Sequence, residues 1–343
     1  MKSDPVTTND IVSVAVIVPL RNEEWNVEGL LNSISKQRYP HFEIILVDDH
    51  SDDATIDIAD RWMSVHPEIK LKCISSIGNS KKDAITHAID QTEAVLIITT
   101  DADCRMGKDW VQTVVNHFVY NNSYLISSPV IMRSGYSVLE KIQSAEYAGL
   151  SAIGAAAISA HSPMFCSGAN LAFPKEIFIE VGGYSGSKSS SGDDTQLMRK
   201  ISSKWPDKIS FLKNFDAAIE THSSVAERSR SIFEQRRRWA SKIPFTLSPF
   251  TISIAALAWI IHFVLLLQLI MSVANENYSI ILISWLIKIF GELLLLKSAI
   301  KFQKQKFPFM LVIIVQPLYA LYVVVIGAVA PFTKFTWKGR ATK

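Results

Sequence analysis

The 343-residue chain is predicted to hold an α/β domain followed by membrane-crossing helices. Three observations predict this. Short β-rich apolar runs alternate with stretches of helical spacing through the first half, which argues a parallel sheet with right-handed crossovers. Carboxylates follow two of those runs, at Asp48-Asp49 and at Asp101-Ala102-Asp103, where open α/β sheets bind ligands. From Pro249 onward apolar residues dominate, and three stretches approach or exceed the ~20 residues that a bilayer requires.

The elements follow in order. Val14 to Val18 is a first buried strand, and Pro19 to Glu24 the loop after it. Val27, Leu30, Leu31 and Ile34 have helical spacing within Val27 to Gln37. Phe42 to Val47 is a second strand, Thr55 to Val65 a helix, Leu71 to Ile74 a third strand and Asp83 to Asp90 a helix. Ala94 to Thr99 is the fourth strand and runs into the carboxylates. A helix over 108–120, a strand over Leu125 to Met132 and a long helix over Ser137 to Ala160 come next. Phe165 to Phe173 is apolar with a Ser-Gly turn inside it. Ser185 to Gly192 is flexible by composition and leads into Asp193-Asp194 and a helix over Thr195 to Ser203. Such a segment suits a lid over a site and equally a plain surface linker.

The organising stretch is Ile97-Ile98-Thr99-Thr100-Asp101-Ala102-Asp103-Cys104. Read as extended chain, it sends the side chains of Asp101 and Asp103 out on one face. Two such carboxylates repel each other unless a cation neutralises them. Mg²⁺ or Mn²⁺, with a substrate diphosphate as companion, is the natural partner. The plain alternative is a solvated Asp-x-Asp turn helped by Gly107.

Composition narrows the setting. Hydrophobic residues make up 48% of the chain and its net charge is +3, so no bulk polyanion and no nucleic acid is implied as a partner. Cys73, Cys104 and Cys166 are scattered, without a Cys-x-x-Cys pair. That argues against a zinc site or a disulfide framework and fits a reducing compartment. The run Ile11 to Leu20 is too short to span and has no basic flank, so no signal peptide is expected.

Glu227 to Lys242 is a basic helix, suited to anionic headgroups just before a span. The spans are expected at about 251–273, 278–296 and 309–330. Lys288 and Glu292 stand four apart within the second and should face each other or protein; Pro317 kinks the third. The loop from Ala274 to Asn277 has no basic residue, whereas Lys297 to Lys306 holds four lysines. The positive-inside rule then places the second loop and the N-terminal domain in the cytosol. Three spans would leave Lys334, Lys338, Arg340 and Lys343 outside, against that rule, unless the third stretch re-enters at Pro317.

Five segments now stand together: Val18-Pro19-Leu-Arg-Asn22-Glu23, Val47-Asp48-Asp49-His-Ser51, Asp101-Ala-Asp103, Gly192-Asp193-Asp194 and Gln235-Arg-Arg-Arg238-Trp239. In this order they resemble the membrane-integrated family 2 glycosyltransferases, which include the cellulose, hyaluronan and poly-N-acetylglucosamine synthases. The acidic pieces are individually unspecific. Gln-x-x-Arg-Trp just before a span is much more specific. The motifs cover about residues 12 to 245.

The resemblance implies a GT-A (nucleotide-diphospho-sugar transferase) fold with a mixed, mostly parallel sheet over 1–245 and a membrane domain over 246–343. It implies inversion at the sugar carbon by direct displacement, with a metal and a general base. By the same resemblance Asp49 binds the nucleotide base, and Pro19 and Glu23 shape the nucleoside pocket. Lys81 and Arg238 face the diphosphate. Asp103 ligates the metal, and Asp101 contacts the nucleotide sugar or the metal. Asp194 is the base that takes the acceptor's proton. Gln235, Trp239, Cys166 and Asp193 lie on the acceptor side, Cys166 within Phe165-Cys166-Ser-Gly168. The expected enzyme is a multi-pass protein of the cell's inner (plasma) membrane with its catalytic domain in the cytosol. It moves a sugar from a nucleoside-diphosphate sugar to a lipid, lipid-linked or glycan acceptor. Polymer synthases of this group usually carry spans ahead of the catalytic domain and room for a channel, so single transfer is expected ahead of processive synthesis. A nucleotide-binding transport or assembly protein without chemistry is the alternative from another class.

Overall fold

The computed structural model describes residues 11–78, 80–186, 192–222, 248–276 and 278–329, with the backbone of 335–337 and 340–342. The chain divides into two compact units, residues 1–131 with 153–222 and residues 132–152 with 223–343.

The first unit begins with four strand–helix repeats: β1 (Val14–Leu20), α1 (Val27–Ile34), β2 (Phe42–Asp48), α2 (Thr55–Val65), β3 (Leu71–Ser75), α3 (Lys81–Asp90), β4 (Leu96–Thr99) and, after the short β5 (Arg105–Met106), α4 (Trp110–Asn121). The chain continues through β6 (Leu125–Ser127), β7 (Val130–Arg133), α5 (Val138–Ser159), β8 (Leu171–Pro174), α6 (Lys175–Glu180), α7 (Asp193–Lys204), β9 (Ile209–Phe211) and β10 (Ile219–His222). The large sheet has the order β3-β2-β1-β4-β8-β6-β9. The β1–β2, β2–β3, β1–β4 and β6–β9 pairs are parallel, and β8 runs antiparallel to both β4 and β6. This is the mixed, mostly parallel sheet expected. Val14 to Val18 and all of β4 are buried, because helices cover both faces of a parallel strand and leave no face for polar residues. Val27, Leu30, Leu31 and Ile34 are the buried face of α1, as their spacing requires.

Four local readings change. β1 does not stop at Val18 but continues through Pro19 and Leu20. Leu20 O accepts from Asp49 N on the β2 side, so Pro19 points the other way, where β4 has already ended at the Ile17–Thr99 pair. Its missing N–H therefore breaks no ladder bond. The expected strand over Leu125 to Met132 is two strands, parted at Ser128-Pro129, and the second joins a small sheet in the order β5-β10-β7. Asp101 to Asp103 is not extended chain: Cys104 N donates to Asp101 O at 3.1 Å and closes a turn. Finally, the alternation of strands and helices ends at β4, since β8 enters the sheet reversed between β4 and β6.

Among the described residues of the second unit, three helices are long and apolar enough to cross a membrane: α8 (Pro249–Ala274), α9 (Ser279–Phe302) and α10 (Met310–Val329), with Pro317 inside α10. Ala145 and Ala148, in the part of α5 that belongs here, pack with Ala299 and Ile300 of α9. Small residues permit that close approach. Lys288 and Glu292 meet at 2.5 Å, and Gln316 of α10 satisfies both, accepting from Lys288 and donating to Glu292. The pair thus faces protein. Two backbone strands, β11 (Phe335–Trp337) and β12 (Arg340–Thr342), form a hairpin.

Candidate active site

The site in the first unit is assembled at the carboxyl ends of β1, β2 and β4 and at the N-terminus of α7. The loops after β1 and β2 are laced together. Asn22 N donates to Ser51 Oγ at 3.0 Å, Glu23 N to Thr55 Oγ1 at 2.7 Å, and Asp52 N to Asn22 Oδ1 at 3.0 Å. Asp49 lies between them, 2% exposed. Arg21 Nη1 donates to the Asp49 carbonyl at 2.7 Å and lies 4.0 Å from its carboxylate, and His50 Nδ1 is 3.3 Å from that carboxylate. Glu23 is occupied locally, its Oε2 accepting from Asn26 Nδ2 at 2.9 Å. Pro19 is the half-buried penultimate residue of β1.

The Asp101-Ala102-Asp103 turn gives its two carboxylates different partners. Lys81, at the start of α3, makes an ion pair with Asp101. Thr221 of β10 donates its hydroxyl to Asp103 Oδ2 at 2.8 Å. Burial pulls the Lys81 ammonium's pKa down, but Asp101, and further off Asp194 and Asp193, outweigh it and raise the value. Lys81 therefore feels both acidic motifs at once, although they are far apart in sequence. Tyr184 reports the same convergence: burial first, then Asp193, Asp194 and Cys166, hold its phenol well above the ordinary range.

Gly192 caps α7 with φ +92°, a left-handed conformation that costs any other residue but glycine strain. Two residues on, Asp194 accepts from Gly168 N at 2.9 Å through Oδ2 and from Thr195 N at 2.7 Å through Oδ1. Gly168 opens the turn before β8, and its carbonyl accepts from Thr99 Oγ1 of β4 at 2.7 Å. One short turn thus ties Asp194 to the strand that delivers Asp101. Behind it, Asn170 is fully buried and bonds Pro129 O, Ala217 O and Trp110 Nε1, which fixes the turn in place. Asp193 starts α7 beside Asp194, and Cys166 lies half-buried near the core that holds Tyr184.

The structure therefore brings together Lys81, Asp101, Asp193 and Asp194, with Asp103 in the turn of Asp101 and with Cys166 at Tyr184. Gln235, Arg238 and Trp239, the basic helix and most of the Ser185 to Gly192 segment lie outside the described residues. Sequence reasoning missed Thr221, Tyr184, Gly168 as a partner of Asp194, and Arg105. The Ser-Gly turn was visible in the sequence; Thr221 carries no motif at all.

Among the described residues, no three His, Cys, Asp or Glu side chains converge to hold a metal. The turn offers two carboxylates. That donor set fits Mg²⁺ or Mn²⁺ arriving with a diphosphate, since such ions keep waters and take one or two carboxylates plus substrate phosphates.

This fold and this cluster define a glycosyltransferase of the GT-A type. The family model for Glycosyl transferase family 21 matches residues 1–343, and the chain belongs to that family. It is 27% identical over 111 residues to glycosyltransferase AglE of Haloferax volcanii, covering 32% of this chain and 36% of that protein. It is 24% identical over 238 residues to a poly-beta-1,6-N-acetyl-D-glucosamine synthase of Staphylococcus epidermidis, covering 67% and 54%. The chain thus matches about half the length of the synthase, and less of AglE. Among solved structures, the mannosyltransferase PcManGT from Pyrobaculum calidifontis, in complex with GDP-Man and Mn²⁺, aligns with a TM-score of 0.56 at 18% identity over 96% of this chain and 90% of that one. At that identity the likeness is one of fold.

Proposed function

We propose that the enzyme transfers a sugar, with inversion, from a nucleoside-diphosphate sugar to a lipid, lipid-linked or glycan acceptor at the cytosolic face of the cell membrane. The observation that carries this reading is the ion pair of Lys81 with Asp101 at the end of β4, the strand to which Gly168 ties Asp194. It sets a cation fit for a diphosphate beside a carboxylate fit to take a proton.

In this reading Asp49 accepts from the nucleotide base, and Pro19 and Glu23 bound the nucleoside pocket. Lys81 exchanges Asp101 for the diphosphate, and Arg238 adds a second charge there. Asp101 and Asp103 would hold Mg²⁺ or Mn²⁺, which supplies charge neutralisation of the leaving diphosphate. Asp194 takes the proton of the acceptor hydroxyl as its oxygen bonds to the anomeric carbon. The carbon–diphosphate bond breaks on the opposite side, so the configuration inverts. Asp193, Cys166, Gln235 and Trp239 line the acceptor side. The three apolar helices hold the enzyme where a membrane-borne acceptor can be reached.

The test is transfer from a panel of nucleotide sugars by the detergent-solubilised chain, with Mn²⁺, with Mg²⁺ and with chelator. Donors are ranked first by thermal shift, because a ligand at 100 times its dissociation constant stabilises by about 2.7 kcal/mol. Metal-dependent release of nucleoside diphosphate with one sugar added per acceptor supports the reading. Binding without turnover across the panel supports the transport or assembly role, and a polymer product the processive one. A reporter fused after residue 245 tests the cytosolic face; external activity overturns it.

A further inference from the structure

Arg105 follows the Asp101-Ala102-Asp103 turn and is held in an unusual way. Its Nη1 donates to Ala102 O at 3.2 Å and to Cys104 O at 2.8 Å, and its Nη2 to Asn26 O at 3.1 Å. Two of those carbonyls belong to the turn itself. The third is that of Asn26, the N-cap of α1, the helix that follows the loop after β1. Asn26 in turn donates to Glu23 through both its backbone and its side chain. One guanidinium therefore ties the acidic turn to the loop after β1.

Its seat is made by Gly29. A Cβ built there would lie 2.4 Å from Arg105 Nη2 and 2.8 Å from both Cζ and Nε, so the guanidinium lies against the bare backbone of α1. Glycine inside a helix costs about 1 kcal/mol relative to alanine. A cation at the N-terminal end is also on the wrong side of the helix dipole. Neither choice helps α1 as a helix. Both make sense if the arginine is there for the turn. β5 completes the mount: Arg105 pairs with Glu220 of β10, and the next residue of β10, Thr221, donates to Asp103.

We infer that Arg105, seated on Gly29, is the positioning residue that presents Asp101 and Asp103 to the divalent cation. This rests on the proposed reading that those two carboxylates take the cation. The fork of Arg105 fixes the carbonyls on either side of Asp103 and so the direction of both side chains.

The experiment measures Mn²⁺ binding to the full-length, detergent-solubilised chain by electron paramagnetic resonance, beside UDP, GDP, ADP, CDP and TDP in turn. The nucleotide that binds with wild type carries the comparison. Arg105→Gln and Arg105→Lys should each weaken Mn²⁺ by about tenfold or more, the usual loss when a partner behind a metal ligand is removed. A role through charge alone gives the opposite sign, since loss of a cation near Asp103 would tighten Mn²⁺ in Arg105→Gln and leave Arg105→Lys unchanged. Gly29→Ala, which favours α1 by propensity, should nevertheless weaken Mn²⁺ comparably, and the double variant should be no weaker than Arg105→Gln alone. Multiplicative effects, or unchanged Mn²⁺ affinity with only a lower melting temperature, overturn the inference. Asp103→Ala is the control. If it abolishes Mn²⁺ binding while Arg105 and Gly29 variants bind normally, the positioning role alone falls. If it leaves binding intact, or if no nucleotide supports Mn²⁺ binding in wild type, the metal reading falls and this inference with it.

Discussion

Asp194→Asn is the substitution that most directly tests the chemistry. A carboxylate has about four lone-pair sites. Asp194 uses one on each oxygen, for Gly168 N at 2.9 Å and Thr195 N at 2.7 Å, and has capacity left to accept from a hydroxyl. Asparagine keeps one acceptor oxygen, so one of the two backbone N–H groups must face an NH₂. The variant is therefore not silent in stability. Loss of one hydrogen bond to a charged group costs about 1.5–3 kcal/mol, less here because the carboxylate is half-buried. At about 2–4 °C per kcal/mol for a domain of this size, the melting temperature should fall by several degrees. The effect on transfer is far larger. Loss of a general base lowers turnover by about 10² to 10⁴, roughly 3–5 kcal/mol seen only in the transition state. The assay is steady-state transfer at a temperature well below both melting points, beside calorimetric binding of donor and metal. Donor affinity should stay within a few-fold. Turnover near that of wild type, with donor still bound, would refute the assignment, and Asp193 would be tested next.

Three further outcomes are expected. Asp103→Ala should lose donor affinity and transfer together, whereas Asp49→Ala should chiefly raise the Michaelis constant; the reverse split in steady-state kinetics would exchange their roles. Lys288→Met strands Glu292 and half of Gln316 inside the helix bundle and should destabilise by about 3–5 kcal/mol, while the triple change Lys288→Met, Glu292→Leu, Gln316→Leu should recover most of that in detergent melting curves. Cys73 is pushed up to about 11 from 9.0, by burial first and then by Asp60 and Asp48, so at pH 8 the folded protein should hold about 100-fold less thiolate there than the unfolded chain. Iodoacetamide labelling followed by mass should be correspondingly slow at Cys73 until denaturant is added, and the protection should fade as pH rises toward 11; equal rates in both states would contradict the burial.

Local elements were legible in the sequence because burial leaves a periodic trace. Val27, Leu30, Leu31 and Ile34 announce a helix, Val14 to Val18 a central strand, and Asp48-Asp49 and Asp101 to Asp103 the ends of strands. The long apolar runs announced helices long and apolar enough to cross a membrane, and Lys288 with Glu292 announced a protein-facing pair. The ordered motifs carried the family. None of that depends on which distant residues meet.

The pairings did depend on it, and only the tertiary structure decided them. β8 enters the sheet reversed between β4 and β6, a choice set by neighbouring strand edges rather than by the composition of Leu171–Pro174. Asp101 and Asp103 leave their strand in a turn and face Lys81 and Thr221, where an extended reading put them on one face. Gly168 is an ordinary turn glycine until its N–H meets Asp194, and Gly29 is a poor helix residue until Arg105 lies against it. Periodicity records how one segment meets solvent or core. A hydrogen bond between residues far apart in the chain records how two segments meet each other, and that exists only once the sheet has closed.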